Sequence, residues 1–341
     1  MEQRPDASHE AIDDVLDDSP RFTRRGAFGL AVGGLATLFA GGTVRTFLLE
    51  RLRWGEDFFP GTPPDIALEP RAWTTTDDSI TFAVLGDNGS GGRNQMDVAG
   101  QMARTYEETP YGLVLLAGDI SYYGSIDDRW DEVFVEPYRP LIEAGVTWEL
   151  AIGNHELSEK KSDDAAAEIE AQLRRFGKPG TYYTVRHGPM EVFVLDSSIP
   201  LATGQGGPEQ VAWLEEALAA SDAPWKVGLM HQPAYSSGSH GSHLGIREVV
   251  QPLFARYGVD IVFTGHDHHY ERTTPQDGVV WVVSGAGAKL TRVDGADFTA
   301  HAESTLQFML VDIDGDVMDV RAITTDGTVI DQVTLRARST S

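Results

Sequence analysis

The sequence predicts an α/β protein with parallel strands inside and an antiparallel C-terminal part. Three observations predict it. Apolar runs of strand length recur from about residue 80 onward, each ending in glycine or a polar residue. Helix-like stretches lie between some of them, the pattern of parallel strands joined by crossovers. From Phe308 the chain is strand-rich and punctuated by Asp-Gly pairs, which favour tight antiparallel turns.

The elements follow in chain order. Residues 1–25 are acidic, with Asp13-Asp14 and Asp17-Asp18, and read as disordered up to the pair Arg24-Arg25. Residues 26–44 are uncharged and rich in Gly and Ala, nearly long enough to match a bilayer. Twin arginines before such a stretch resemble a twin-arginine export signal, although Phe28 comes one position late and no lysine follows. No Ala-x-Ala cleavage site is present, so a single N-terminal membrane anchor is an open alternative, as is a buried Gly-rich helix. The expected location is therefore outside the cytoplasm, secreted or anchored on the outer face. Residues 45–72 read as a Pro-rich linker.

Residues 73–338 read as one domain without repeats. Its predicted strands are "TFAVLGD", "LVLLAGD", "TWELAIGN", "EVFVLDS", "WKVGLMH", "VDIVFTGH" and "VVWVVSGAG". Its clearest helices are "NQMDVAGQMARTYEE" and "GPEQVAWLEEALAAS". The stretches 157–180 and 290–305 read as loops. "SGAGAKL" lacks the spacing of a phosphate-binding loop and reads as a tight turn.

Composition narrows the function. The 341 residues are 41% hydrophobic, enough for a sizeable core. Cysteine is absent, which excludes disulfides, thiolate metal sites and a Cys nucleophile. Lys+Arg is 27 against 52 Asp+Glu, a net charge of −25. That field repels nucleic acid and anionic lipid, so no nucleic-acid partner is expected, and any phosphate site must carry local positive charge. Such an acidic, Lys-poor chain suits high salt, or simply a GC-rich genome.

Four predicted strands end in glycine followed by a metal-ligand type: Gly86-Asp87, Gly118-Asp119, Gly153-Asn154 and Gly265-His266. A fifth ends at His231. Ligands in α/β sheets gather at the carboxyl ends of strands, and Asp, Asn and His together suit a hard to borderline metal. In "GHDHH" the i, i+2 spacing puts His266 and His268 on one side of an extended segment, with Asp267 and His269 facing away and unassigned.

The motifs GDNG, GDISY, GNHE, GLMH and GHDH, in this order, resemble the five blocks of the purple acid phosphatase branch of the calcineurin-like metallophosphoesterases. One departure is Gly228, where that family usually has Val. The resemblance implies a four-layer fold, two packed mixed β-sheets flanked by helices, and a dinuclear metal centre. Asp119 would bridge the two ions. Asp87, Tyr122 and His268 would complete a site for Fe(III), and Asn154, His231 and His266 one for Zn, Mn or Fe(II). Phenolate and carboxylates suit the trivalent ion, amide and imidazoles the divalent one.

The implied reaction is phosphomonoester hydrolysis by a hydroxide of that centre, with His155 and His240 contacting the substrate. His243 is a weaker candidate, and Glu156 either orients His155 or caps a helix. A phosphodiesterase or nucleotide phosphatase with the same site is the alternative, and a non-catalytic surface binder a third reading. The oligomeric state is not readable from the sequence.

Overall fold

The computed structural model describes residues 78–158, 162–198 and 207–338. The readings made for residues 1–72, including the export signal, the anchor and the linker, lie outside the described residues. No helix among the described residues is long and apolar enough to cross a membrane.

Two mixed sheets form the centre. The first runs in the order β13-β12-β11-β1-β2-β3 and the second in the order β10-β8-β9-β7-β6-β5-β4. In the first sheet β1 (Ser79–Leu85), β2 (Leu113–Leu116) and β3 (Thr147–Leu150) are parallel, with Phe82 opposite Leu113 and Leu113 opposite Thr147. Strands β11 (Gln307–Asp314), β12 (Val317–Thr324) and β13 (Val329–Arg336) add antiparallel hairpins turning at Gly315 and Gly327, as the Asp-Gly pairs predict. In the second sheet β5 (Met190–Val194), β6 (Trp225–Leu229), β7 (Ile261–Thr264) and β9 (Val280–Ser284) are parallel neighbours. Antiparallel strands β4 (Tyr183–His187), β8 (Tyr270–Thr273) and β10 (Thr299–Glu303) flank them.

Period-two alternation builds the layers. Phe82 and Val84 of β1, Val227 and Leu229 of β6, and Ile261 and Phe263 of β7 point into one core between the sheets. There Phe82 and Phe263 meet edge to face across the gap, ring centroids 6.3 Å apart. On the second sheet's other face, Phe193 and Val262 pack with Leu214, Leu218, Val250 and Phe254 of the helices α6 (Gly207–Ala220) and α7 (Leu244–Tyr257). Gly228 lies in this outer layer. A Cβ there would stand 2.9 Å from Phe254 and 3.0 Å from Val262, so these two side chains already fill the space a valine would need. The departure in the fourth block is thus a packing exchange on the face away from His231 in the alternation.

The first sheet is covered by α1 (Arg93–Glu108) and by a run of short helices: α2 (Ile126–Trp130), a π-helical turn (Asp131–Val135) and α3 (Glu136–Glu143). Trp130, Phe134, Tyr138, Trp148 and Phe176 interlock beneath them, with Trp130 stacked on Phe134 at 4.5 Å.

Two stretches expected as loops carry structure. Ser162–Phe176 is helix α5, following a short α4 (His155–Ser158), and "DDAAAEIEAQLRRF" is indeed made of strong helix formers. Within 290–305, β10 pairs with β8.

Candidate metal centre

Strands β1, β2 and β3 run parallel, so their carboxyl ends open on one edge, and β6 and β7 do the same in the facing sheet. The loops leaving these five ends carry Asp87, Asp119, Asn154, His231 and His266. Three of them sit in left-handed backbone: Asp87 at φ 58°, Asp119 at φ 55° and His266 at φ 71°. Such conformations cost on the order of 1 kcal/mol or more for a non-glycine residue and cluster at functional sites. Here the chain turns sharply the moment it leaves each strand, which throws the side chain back over the sheet edge. Gly153 shows how tight the packing is: a Cβ on it would fall 2.0 Å from Asp119 Oδ1.

The side chains gather in two groups. In the first, the Tyr122 hydroxyl lies 3.2 Å from Asp87 Oδ1 and 3.1 Å from His268 Nε2, and that nitrogen is 3.4 Å from Asp87 Oδ1. Tyr122 is buried while Tyr123 beside it is exposed. In the second, His231 Nε2 and His266 Nδ1 both aim at Asn154 Oδ1, at 2.8 and 2.7 Å. Asp119 stands within reach of both groups. Ligand atoms of Asp87, Asp119 and His231 lie within 4.8 Å of one another, and His231 Nε2 is 3.4 Å from Asp119 Oδ2. The seven side chains proposed as donors thus lie in two adjoining groups at the sheet edges, five of them buried and Asn154 and His266 half-buried.

Hydrogen bonds from backbone groups hold Asp87, Asp119 and His231 so that one ligand atom of each faces the cluster. Asp87 uses Oδ2 to accept the His266 N–H at 2.8 Å and turns Oδ1 inward. Asp119 uses Oδ1 to accept the His155 N–H at 3.0 Å. Its Oδ2 is buried and receives no hydrogen bond. His231 Nδ1 lies 2.7 Å from the Ala117 carbonyl, which can only accept, so the proton sits on Nδ1 and the Nε2 lone pair faces the cluster.

Electrostatics point the same way. Burial raises the Asp119 carboxyl, but the neighbouring His231 and His155 outweigh it and hold the group well below the usual carboxylate range. Burial lowers His231, yet Asp119 and Asp87 push it up to about 10. Both shifts describe one fact: the buried Asp119 and Asp87 carboxylates favour positive charge beside them. His266 is held well below its usual value by burial and by His231 and His240, which keeps it a neutral donor. An orphaned carboxylate oxygen, an imidazole with its Nδ1 tied to a carbonyl and a cluster of buried carboxylates fit a metal centre.

His155 packs its ring on Tyr122, centroids 4.7 Å apart, and burial lowers its pKa. His240 stacks on His266 at 4.3 Å. Both flank the donors. His243 does not join them. Its Nδ1 accepts the Ile246 N–H at 3.1 Å and caps α7.

Glu156 accepts an N–H just before the short helix that carries it, a capping contact, and adds a bond across the loops. It is buried, accepts the Ile120 N–H at 2.8 Å and the Gly153 N–H at 2.9 Å, and so ties together the loops after β2 and β3. Burial and the nearby Asp119 push it up to about 7. Asp267 faces away from the donors, as the alternation predicts. It accepts from Ser236 Oγ at 2.5 Å and from the N–H groups of His240 and Gly241 at 2.9 and 3.1 Å, fixing the loop that carries His240. His269 pairs with Glu271 at 3.2 Å, which holds Ser237 in the same loop. Lys289, unassigned in the sequence, has its Nζ 3.8 Å from the Tyr122 ring centroid. The only signal for it was a lysine directly after a Gly-rich strand end in a Lys-poor chain.

Residues 80–270 match the calcineurin-like phosphoesterase family. A phosphoenolpyruvate phosphatase of Allium cepa is 29% identical over 250 residues, a match covering 67% of this chain and 47% of that protein. Tartrate-resistant acid phosphatase type 5 of Mus musculus is 26% identical over 245 residues, covering 63% of this chain and 74% of its own length. Among solved structures, the purple acid phosphatase PPD1 from yellow lupin (Lupinus luteus) seeds superposes with a TM-score of 0.67 at 21% identity. That superposition covers 77% of this chain and 55% of that one. The chain thus spans about half the length of the Allium cepa and lupin proteins.

Proposed function

Because the chain belongs to the calcineurin-like phosphoesterase family, on its purple acid phosphatase-like branch, we propose that it hydrolyses phosphomonoesters at a dinuclear metal centre. One observation carries the reading: Asp119 Oδ2, buried and without a hydrogen bond, within reach of two groups of three donors. Asp87, Tyr122 and His268 would hold one ion with Asp119, and Asn154, His231 and His266 the other. The first set suits Fe(III), the second Zn, Mn or Fe(II). When bound, the ions supply Lewis-acid charge and a water acidic enough to react near neutral pH.

The chain's own residues do the rest. The His155 N–H fixes the Asp119 carboxylate, so the shared donor cannot rotate. The His155 and His240 rings flank the two donor groups and would hold the phosphoryl oxygens and assist the leaving oxygen. Asp267 and Glu271 keep the His240 loop at its distance. The names of the relatives, both phosphatases, support the monoester reading.

The test is a steady-state panel on purified, metal-loaded protein: phenyl phosphate, bis(4-nitrophenyl) phosphate and a nucleoside triphosphate. The monoester should lead by about tenfold or more, beyond the 1.4 kcal/mol that tenfold represents. A lead for the diester would move the assignment to phosphodiesters. No hydrolysis in the panel would leave a binding protein.

Export is part of the proposal, carried by Arg24-Arg25 before the uncharged stretch 26–44. Replacing both arginines by lysine should keep the precursor in the cytoplasm on cell fractionation. Unchanged export of that double variant would refute it, and recovery of wild type in the membrane pellet would favour the anchor.

A further inference from the structure

Five lysines stand in a chain of net charge −25. Lys178, half-buried, pairs with Glu149 at 2.6 Å, and Lys226 donates to the Tyr257 carbonyl at 3.2 Å. Lys160 and Lys161 lie outside the described residues. Lys289 differs: among the described residues no carboxylate pairs with it, although the chain carries 52 acidic residues.

Its position is built. After β9 the chain turns through Gly285-Ala286-Gly287. The Gly287 N–H donates to the Gly86 carbonyl at 3.1 Å, next to Asp87. Two residues beyond Lys289, the Thr291 N–H donates to the His268 carbonyl at 2.8 Å. The lysine is therefore tethered on both sides to neighbours of the first donor group. Its Nζ stands 3.8 Å from the Tyr122 ring centroid and 5.5 Å from that of Tyr123. Tyr123 is 40% exposed, so its ring is open to a ligand. The other cation near it, Arg129, is already engaged by Glu132, the Ser90 carbonyl and the Tyr123 carbonyl.

We propose that Lys289 and the exposed ring of Tyr123 form a subsite for the leaving group, selecting phosphomonoesters whose leaving group is planar and carries a carboxylate. This rests on the phosphomonoesterase reading above. The ring offers a flat face and the ammonium a single charge that matches one carboxylate. A second phosphate would bring two charges, and the surplus would stand against the acidic field of the whole chain. The same field disfavours any anionic substrate at a distance, so a local cation decides which anions stay.

The test compares phenyl phosphate with 2-carboxyphenyl phosphate on metal-loaded wild type, Lys289→Gln and Lys289→Arg. In Lys289→Gln, kcat/KM for the carboxylated ester should fall about tenfold or more, the scale of a lost charge-assisted hydrogen bond. The value for phenyl phosphate should change by less than about threefold in the same variant, and Lys289→Arg should restore much of the difference. A parallel fall for both esters would assign Lys289 to the transferred phosphoryl group or to packing on Tyr122, and would overturn the subsite. So would equal rates in wild type and Lys289→Gln. Wild type that hydrolyses neither ester would instead overturn the phosphomonoesterase reading, and the subsite with it.

Discussion

Asp119→Asn is expected to yield a folded protein that has lost most of its metal and about three orders of magnitude or more of its phosphoester turnover. The substitution isolates charge from shape. Asparagine tolerates the left-handed backbone that Asp119 adopts at φ 55°, and its carbonyl can still accept the His155 N–H now received at 3.0 Å. What changes is the other atom. An NH₂ group replaces Oδ2, the buried oxygen that accepts no hydrogen bond and faces His231 Nε2 at 3.4 Å. A donor then points where a cation would sit, and both donor groups lose their shared anion. Metal analysis after equilibration with excess iron and zinc, circular dichroism and phenyl phosphate turnover together read the outcome. Metal content and rate like those of wild type would remove Asp119 from the centre.

Tyr122→Phe is expected to abolish the visible colour of the iron-loaded protein and weaken iron binding by at least about tenfold, with the fold unchanged. A phenolate bound to Fe(III) has a ligand-to-metal charge-transfer band in the visible, which carboxylate and imidazole donors do not supply. Phenylalanine keeps the ring, and with it the contacts to His155 and His268, at 4.7 and 5.9 Å between centroids. It removes the hydroxyl that stands 3.2 Å from Asp87 Oδ1 and 3.1 Å from His268 Nε2. Losing one buried hydroxyl should cost about 1 kcal/mol of stability, too little to unfold a domain. The comparison needs only a visible spectrum, a metal analysis and a thermal melt. A variant that keeps the band, or an iron-loaded wild type without one, would show that Tyr122 is not a ligand. A wild type that takes up only manganese or zinc would reassign the first site.

The two sheets were legible because their buried strands read as unbroken apolar runs. All seven runs quoted from the sequence became strands, and five of the candidate donors were legible because a run stops at them, whereas Tyr122 entered only through the family resemblance. The strand β8 was not legible. Its residues Glu271 and Arg272 are charged, and they sit in a strand only because Ser237, Thr299 and His269 satisfy the first and Asp331 the second. Those partners lie up to about sixty positions away, beyond any local pattern. Helix α5 was hidden for another reason: flanking polar residues made a helix of good intrinsic propensity look like loop. Lys289 was out of reach as well, since its place depends on two backbone tethers that no spacing rule encodes. Asp267, left unassigned, holds the His240 loop through backbone N–H groups, a role that leaves no mark in residue type.

The left-handed backbone at Asp87, Asp119 and His266 sets two selective pressures against each other. Glycine at any of these positions would relax the turn by on the order of 1 kcal/mol, and would delete a donor in doing so. Backbone relief and side-chain bonding therefore pull in opposite directions at these positions. Glycine at Asp87 or Asp119 would also leave the His266 or His155 N–H without its acceptor, at about 1–3 kcal/mol, so the same side chains that strain the backbone hold the neighbouring loops. A thermostabilisation campaign therefore has to fix these three positions before it begins.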